Sequence, residues 1–131
     1  ASAALGMANP HANSGASGDL VPVGKVARAE GGSGHFIAEL FKQRKALSGK
    51  QVRVRGVVVK STSGVLNRTF LHLRDGTGAP TSGDHDLTVT TDQEAPIGTT
   101  VVCEGTLTLE RDFGAGYAYP IIIENAKLVK E

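Results

Sequence analysis

Apolar residues in the second half of the chain fall at every second position. Residues 50–62 alternate through Val52 and Val54, meet Gly56, and then run Val57-Val58-Val59. This is a strand with one face toward a core, and a glycine at the break in alternation predicts a bulge or sharp coil. Residues 69–74 alternate again, with Leu71 and Leu73 on one face and Phe70, His72 and Arg74 on the other. Asp75-Gly76-Thr77-Gly78 then turns the chain, and Leu87 and Val89 mark a third strand. Val101, Cys103, Gly105, Leu107 and Leu109 keep period two through a fourth. A fifth contains Ile121-Ile122-Ile123 and ends near Val129.

Ahead of these strands the period changes. Phe36, Ile37, Leu40, Phe41, Arg44 and Leu47 form the stripe of a helix over 36–47, ended by Ser48-Gly49. Such a helix serves as a lid on one end of a core. Residues 1–34 are dominated by Ala, Gly, Ser and Asn, too little apolar surface to order themselves alone. Within them Leu20, Val21, Val23 and Val26 make an extended segment broken by Pro22 and Gly24. The chain therefore divides into an N-terminal arm, 1–34, and one domain, 35–131, with its strands over 50–129. Five strands, the first broken by glycine, close most economically into a small mainly-β Greek-key barrel, since a sandwich needs about seven.

Composition narrows the functional classes. Net charge is +1 over 131 residues, so no overall excess announces a polyanionic or membrane partner. The charge is unevenly placed, however. From Lys42 to Arg74 there are nine Lys or Arg and no acid, whereas from Asp75 onward there are three basic and ten acidic residues. No apolar run approaches the roughly 20 residues of a membrane-spanning helix. Cys103 is the only cysteine and sits in a strand pattern, which predicts a buried small hydrophobe. The opening Ala1-Ser2-Ala3-Ala4 is of the small-residue kind left when a signal peptide is removed. An exported protein, periplasmic or extracellular, is expected on that basis.

The stretches VRVRGVVVKSTSGVLNRTFLHLRDGTG, DLTVTT and GTTVVCEGTLTLERDFGAGYAYPIIIENAKLV together resemble an OB-fold domain. They are similar to small exported bacterial OB-fold proteins of the periplasmic (BOF) kind, which also place a helix before the first strand. More distantly, V-x-V-x-G-x-V and F-x-x-L-R-D-G-T-G resemble the anticodon-binding barrel of class II aminoacyl-tRNA synthetases. Residues 92–98 are too few for the inter-strand helix of many OB folds, which favours the exported group. The resemblance implies a ligand face on strands two and three and the loops joining strands one to two and four to five. On this chain that face comprises Arg55, Lys60, Arg68, Phe70, His72 and Arg74, with Arg111, Phe113, Tyr117 and Tyr119 from the last loop. Cations for phosphates and rings for bases are both present there. Residues 110–120 hold three of the six aromatics, a density that suits either a contact surface or a cap on the barrel end.

An OB barrel alone names no ligand. Two readings follow. In the first, a protein partner or a second copy is bound, with the arm at Leu20, Val21, Val23 and Val26 laid along a neighbour's unpaired barrel edge as an added strand. The basic and acidic halves would also suit head-to-tail assembly into a homo-oligomer. In the second, the face binds single-stranded nucleic acid or another extended anion. His72, Asp84, His85 and Asp86, and the pair Met7 and His11, are of metal-ligand type, but no spacing matches a zinc or calcium pattern. Asp75-Gly76-Thr77-Gly78 is a turn rather than a phosphate cradle, because no helix follows it. With no nucleophile–base signature either, a non-catalytic binding protein without cofactors is expected.

Overall fold

The computed structural model describes residues 21–114 and 116–129, so Met7, His11 and Leu20 lie outside the described residues. Five strands form the body: β1 Gln51–Val65, β2 Arg68–Arg74, β3 Leu87–Thr91, β4 Thr100–Asp112 and β5 Ala118–Val129. They close into a barrel in the order β1-β2-β3-β5-β4. The β3–β5 pair is parallel and the other four are antiparallel. β1 closes the ring by serving two neighbours. Its first half, Gln51 to Val57, pairs with β4, and its second half, from Val57 to Val65, pairs with β2.

Gly56 stands next to that handover. A Cβ there would lie 3.1 Å from Leu73 Cβ and 3.2 Å from the Arg74 carbonyl oxygen, so β1 and β2 approach more closely than a side chain ordinarily permits without its neighbours giving way. The bulge that the alternation predicted at Gly56 sits further along, between Val58 and Lys60, with a second irregularity between Thr62 and Val65. The barrel interior is packed with Val52, Val54, Val58, Leu71, Leu73, Leu87, Val89, Leu107 and Ile123, all fully buried. Cys103 is buried among them, and burial pushes its thiol up to about 12.

Helix α1, Ile37–Lys42, and helix α2, Arg44–Leu47, precede β1. Ile37 and Leu40 enter the core cluster, at roughly 1.5–3 kcal/mol for each fully buried side chain. The single helix expected over 36–47 is thus interrupted at Gln43, where φ is −103° and ψ is 16°. The Phe41 carbonyl accepts from Arg44 Nη1 at 2.8 Å, and residues 42–46 are exposed. The apolar stripe ends at Phe41, and beyond it only Leu47 packs on the core, so nothing holds the intervening turn straight.

The start of α1 is capped from far along the chain. Ile37 N–H donates to Asp75 Oδ2 at 2.8 Å and Ala38 N–H to Thr77 Oγ1 at 3.1 Å. Phe36 N–H donates to Glu39 Oε1 at 2.8 Å. Phe36 has no side-chain oxygen of its own, so the Asp75-Gly76-Thr77 turn supplies what an Asp or Ser usually would.

Residues 24–34 lie on the chain's own barrel. Ser33 and His35 bond the Arg53 backbone at 2.9 Å each, forming a short parallel bridge at Gly34. Arg55 Nη1 reaches the carbonyls of Arg28 and Ala27 at 3.2 and 3.4 Å. Arg28 pairs with Glu39 at 2.7 Å and sits 4.6 Å over the Phe36 ring. Val21, Val23 and Val26 are half-buried. The unpaired barrel edge expected from the sequence is absent among the described strands, because β1 and β4 pair and the ring is closed.

Candidate ligand-binding groove

Period two decides which side chains face outward on β2. Leu71 and Leu73 go into the core, while Phe70, His72 and Arg74 go to the opposite face. β1 and β2 are joined by a two-residue turn, Leu66 and Asn67, both with left-handed φ of 53° and 61°. Such a turn matches the twist of the strands it connects and carries the hairpin tightly beyond the barrel wall. The β4–β5 connection is as tight. Phe113 N–H donates to the Tyr117 carbonyl at 2.8 Å, Tyr117 N–H to Gly114 at 2.9 Å, and Gly114 N–H to Asp112 Oδ1 at 2.7 Å.

That connection lays three rings on Phe70. Phe113, Tyr117 and Tyr119 have centroids 5.6, 5.8 and 6.0 Å from it, with tilted or edge-on planes. Phe70 is only 3% exposed although it points away from the barrel core. It is therefore a floor, and the loop rings are its walls. Arg111 stacks 4.2 Å over Phe113 and Arg68 lies 5.4 Å from it on the same ring. Both guanidiniums turn to Glu124, at 3.1 and 3.9 Å.

Between the β1–β2 hairpin and this loop runs a groove of about 310 Å³. Phe70, Tyr117 and Tyr119 line it with rings, Val65 and Thr62 line the hairpin side, and Lys60 and His72 supply nitrogen. No carboxylate is among these seven lining residues. His72 Nδ1 donates to Asp86 Oδ1 at 3.0 Å, and Arg74 Nε donates to Asp86 Oδ2 at 2.9 Å. Burial pushes the Asp86 carboxyl up, but the hydrogen bonds from His72 and Arg74 outweigh it and hold the group below the ordinary carboxylate range. Burial, with the neighbouring Tyr117, raises Tyr119 above the usual phenol, so it stays neutral.

Nine of the ten residues expected on the ligand face thus share one outer surface: Lys60, Arg68, Phe70, His72, Arg74, Arg111, Phe113, Tyr117 and Tyr119. Arg55 does not. It lies on the half of β1 that pairs with β4, opposite Val102, and its guanidinium holds the 24–34 segment. The rings of residues 110–120 both cover Phe70 and leave a groove beside it. Asp84 is a loop staple, accepting from Ala79 N–H at 2.8 Å and Ser82 Oγ at 2.7 Å. Its carboxyl is held low, chiefly by the Ala79 bond. Among the described residues no three His, Cys, Asp or Glu side chains come together as metal ligands, and His85 Nδ1 is buried without a partner.

Sequence reasoning missed Glu124 and named Asp86 only as a residue of metal-ligand type, not as the partner of His72 and Arg74. Asp86 lies beside Arg74 because Leu73 pairs with Leu87, and that register is invisible before the sheet is assembled. A second hollow, about 250 Å³ and lined by Asn67, Arg68, Asp92, Asn125 and Lys127 among others, offers no aromatic surface. No described helix is long and apolar enough to cross a membrane. Searched against known protein families and against curated protein sequences, the chain matches none.

Proposed function

We propose that this chain is a non-catalytic, OB-type binding module whose groove takes an extended anionic chain, single-stranded nucleic acid first of all. One observation carries the reading: rings from two separate elements floor and wall a groove whose only ionisable nitrogen groups are Lys60 and His72, with no acid in its lining. Stacking surface beside the Lys60 ammonium, with no carboxylate in the lining itself, is the chemistry that a flexible polyanion requires. The OB assignment is supported by the strand order β1-β2-β3-β5-β4, the parallel β3–β5 pair and the helix packed on the core.

A protein segment as ligand is the second reading. The observation favouring it is that Glu124 and Asp86 engage Arg68, Arg111, His72 and Arg74, so the rim beyond the groove is close to neutral. Assembly through the arm at Leu20, Val21, Val23 and Val26 was expected to use an open barrel edge, and among the described strands the barrel is closed, with the Ala27 and Arg28 carbonyls held by Arg55 of the same chain.

Titration of labelled oligothymidine at low salt separates these readings. Saturable binding that weakens steeply with salt is expected. Tyr117→Ala should weaken it by about 1–3 kcal/mol, the loss of one stacked base. No saturable signal with oligothymidine would turn the assignment to the protein reading.

A further inference from the structure

The groove holds one imidazole, that of His72, and imidazole is the side-chain type that serves as a switch near neutral pH. Lys60 and His72 are direct cross-strand partners on β1 and β2 and line the groove together. Side chains opposite each other in a ladder are close neighbours, and like charges there repel. Asp86 acts in the other direction. It binds Nδ1, which fixes the ring and leaves Nε2 as the nitrogen with no partner among the described residues.

We propose that the groove takes up a proton together with its anionic ligand, with His72 as the second cation beside Lys60 and Asp86 as the residue that positions it. This rests on the reading of the groove as a polyanion site. The groups around the imidazole are Lys60 and Thr62 from β1, Phe70 and Arg74 from β2, Asp86 and Thr88 at the start of β3, and Tyr117 and Tyr119 from the β4–β5 connection. Of these, Lys60 and Arg74 are cationic and Asp86 is the one carboxylate. Asp86 already serves Arg74, so without ligand the second positive charge in the groove is only partly offset. A bound phosphate supplies the missing negative charge. A histidine that gains an anion has its pKa raised in the complex, so affinity is full on the acid side and falls as pH rises through the imidazole range.

The test is oligothymidine titration over a salt series at about pH 5.5 and about pH 8, on either side of the imidazole range. Thymine and the phosphodiester keep their charge across that interval. For the native protein, tighter binding is expected at the lower pH, with a log–log salt slope steeper by about 0.7, one additional phosphate contact. His72→Gln, its fold checked by circular dichroism, should bind with the same affinity and slope at both values. Asp86→Asn should lose most of the acid enhancement, the difference between its two pH values shrinking toward that of His72→Gln. Native binding that ignores pH, or a pH dependence that survives His72→Gln, would overturn the inference alone. Absence of binding at both pH values would overturn the groove reading with it.

Discussion

Asp75 is 2% exposed, and among the described residues its carboxylate accepts from Ile37 N–H, Thr77 N–H and the Thr77 hydroxyl. A buried carboxylate is tolerable when donors surround it, and removing it leaves buried amides without a partner. Asp75→Ala should therefore lower the unfolding free energy by about 2–3 kcal/mol in urea titrations, most of it from the start of α1. Asp86 makes a different prediction. Its folded-state carboxyl lies below the ordinary range, so it adds stability above the unfolded pKa and loses it as pH falls through the folded one. Denaturation midpoints of the native protein should drop between neutral and strongly acid pH, and Asp86→Asn should flatten part of that drop. Cys103, with its thiol raised to about 12 and fully buried, should react with a thiol reagent only after unfolding.

At the scale of elements, the β4–β5 connection covers Phe70 of β2 and walls the groove beside it. Phe70→Ala removes a floor buried under three aromatic side chains and should cost about 3–5 kcal/mol of stability. Tyr117 is half-buried at the groove wall, so Tyr117→Ala should lower the melting midpoint far less than Phe70→Ala while weakening oligothymidine binding. The 24–34 segment depends on the absence of a side chain at Gly34, where a Cβ would collide with the Ala29 carbonyl oxygen. Gly34→Ala should loosen the segment and speed tryptic cleavage at Lys25 and Arg28 relative to the native chain. None of this docking was legible in the Gly-rich composition, because its contacts are backbone carbonyls held by Arg55 and backbone atoms of β1. A residue alphabet read in order carries no record of such partners. The helix over 36–47 was legible as a core-facing stripe, but its interruption was not, since Arg44 fits the helical spacing while remaining exposed.

For the whole molecule, the basic first half and acidic second half of the sequence fold into neighbouring pairs. Arg53 meets Glu104 across β1 and β4, Arg74 meets Asp86, and Arg68 with Arg111 meets Glu124. Pairs this exposed contribute about 0–1 kcal/mol each, so their consequence is the local potential rather than stability. The groove is where that cancellation fails, because Lys60 has no carboxylate partner among the described residues. Five strands were readable, and the faces of β2 and β4 followed from period two, whereas β3 is buried throughout; most of the face carried over from the OB resemblance came together. Asp86 and Glu124 were not readable, because strand register and the tilt of the hairpins decide which acid meets which base. The proposal concerns place: an extended anion would lie between the β1–β2 hairpin and the β4–β5 connection. Backbone amide shifts on adding oligothymidine test it most directly. Perturbations concentrated at residues 60–65, 70–74 and 113–119, saturating together, are predicted. Perturbations centred instead on the hollow beside Asn125, or none at all, would contradict it.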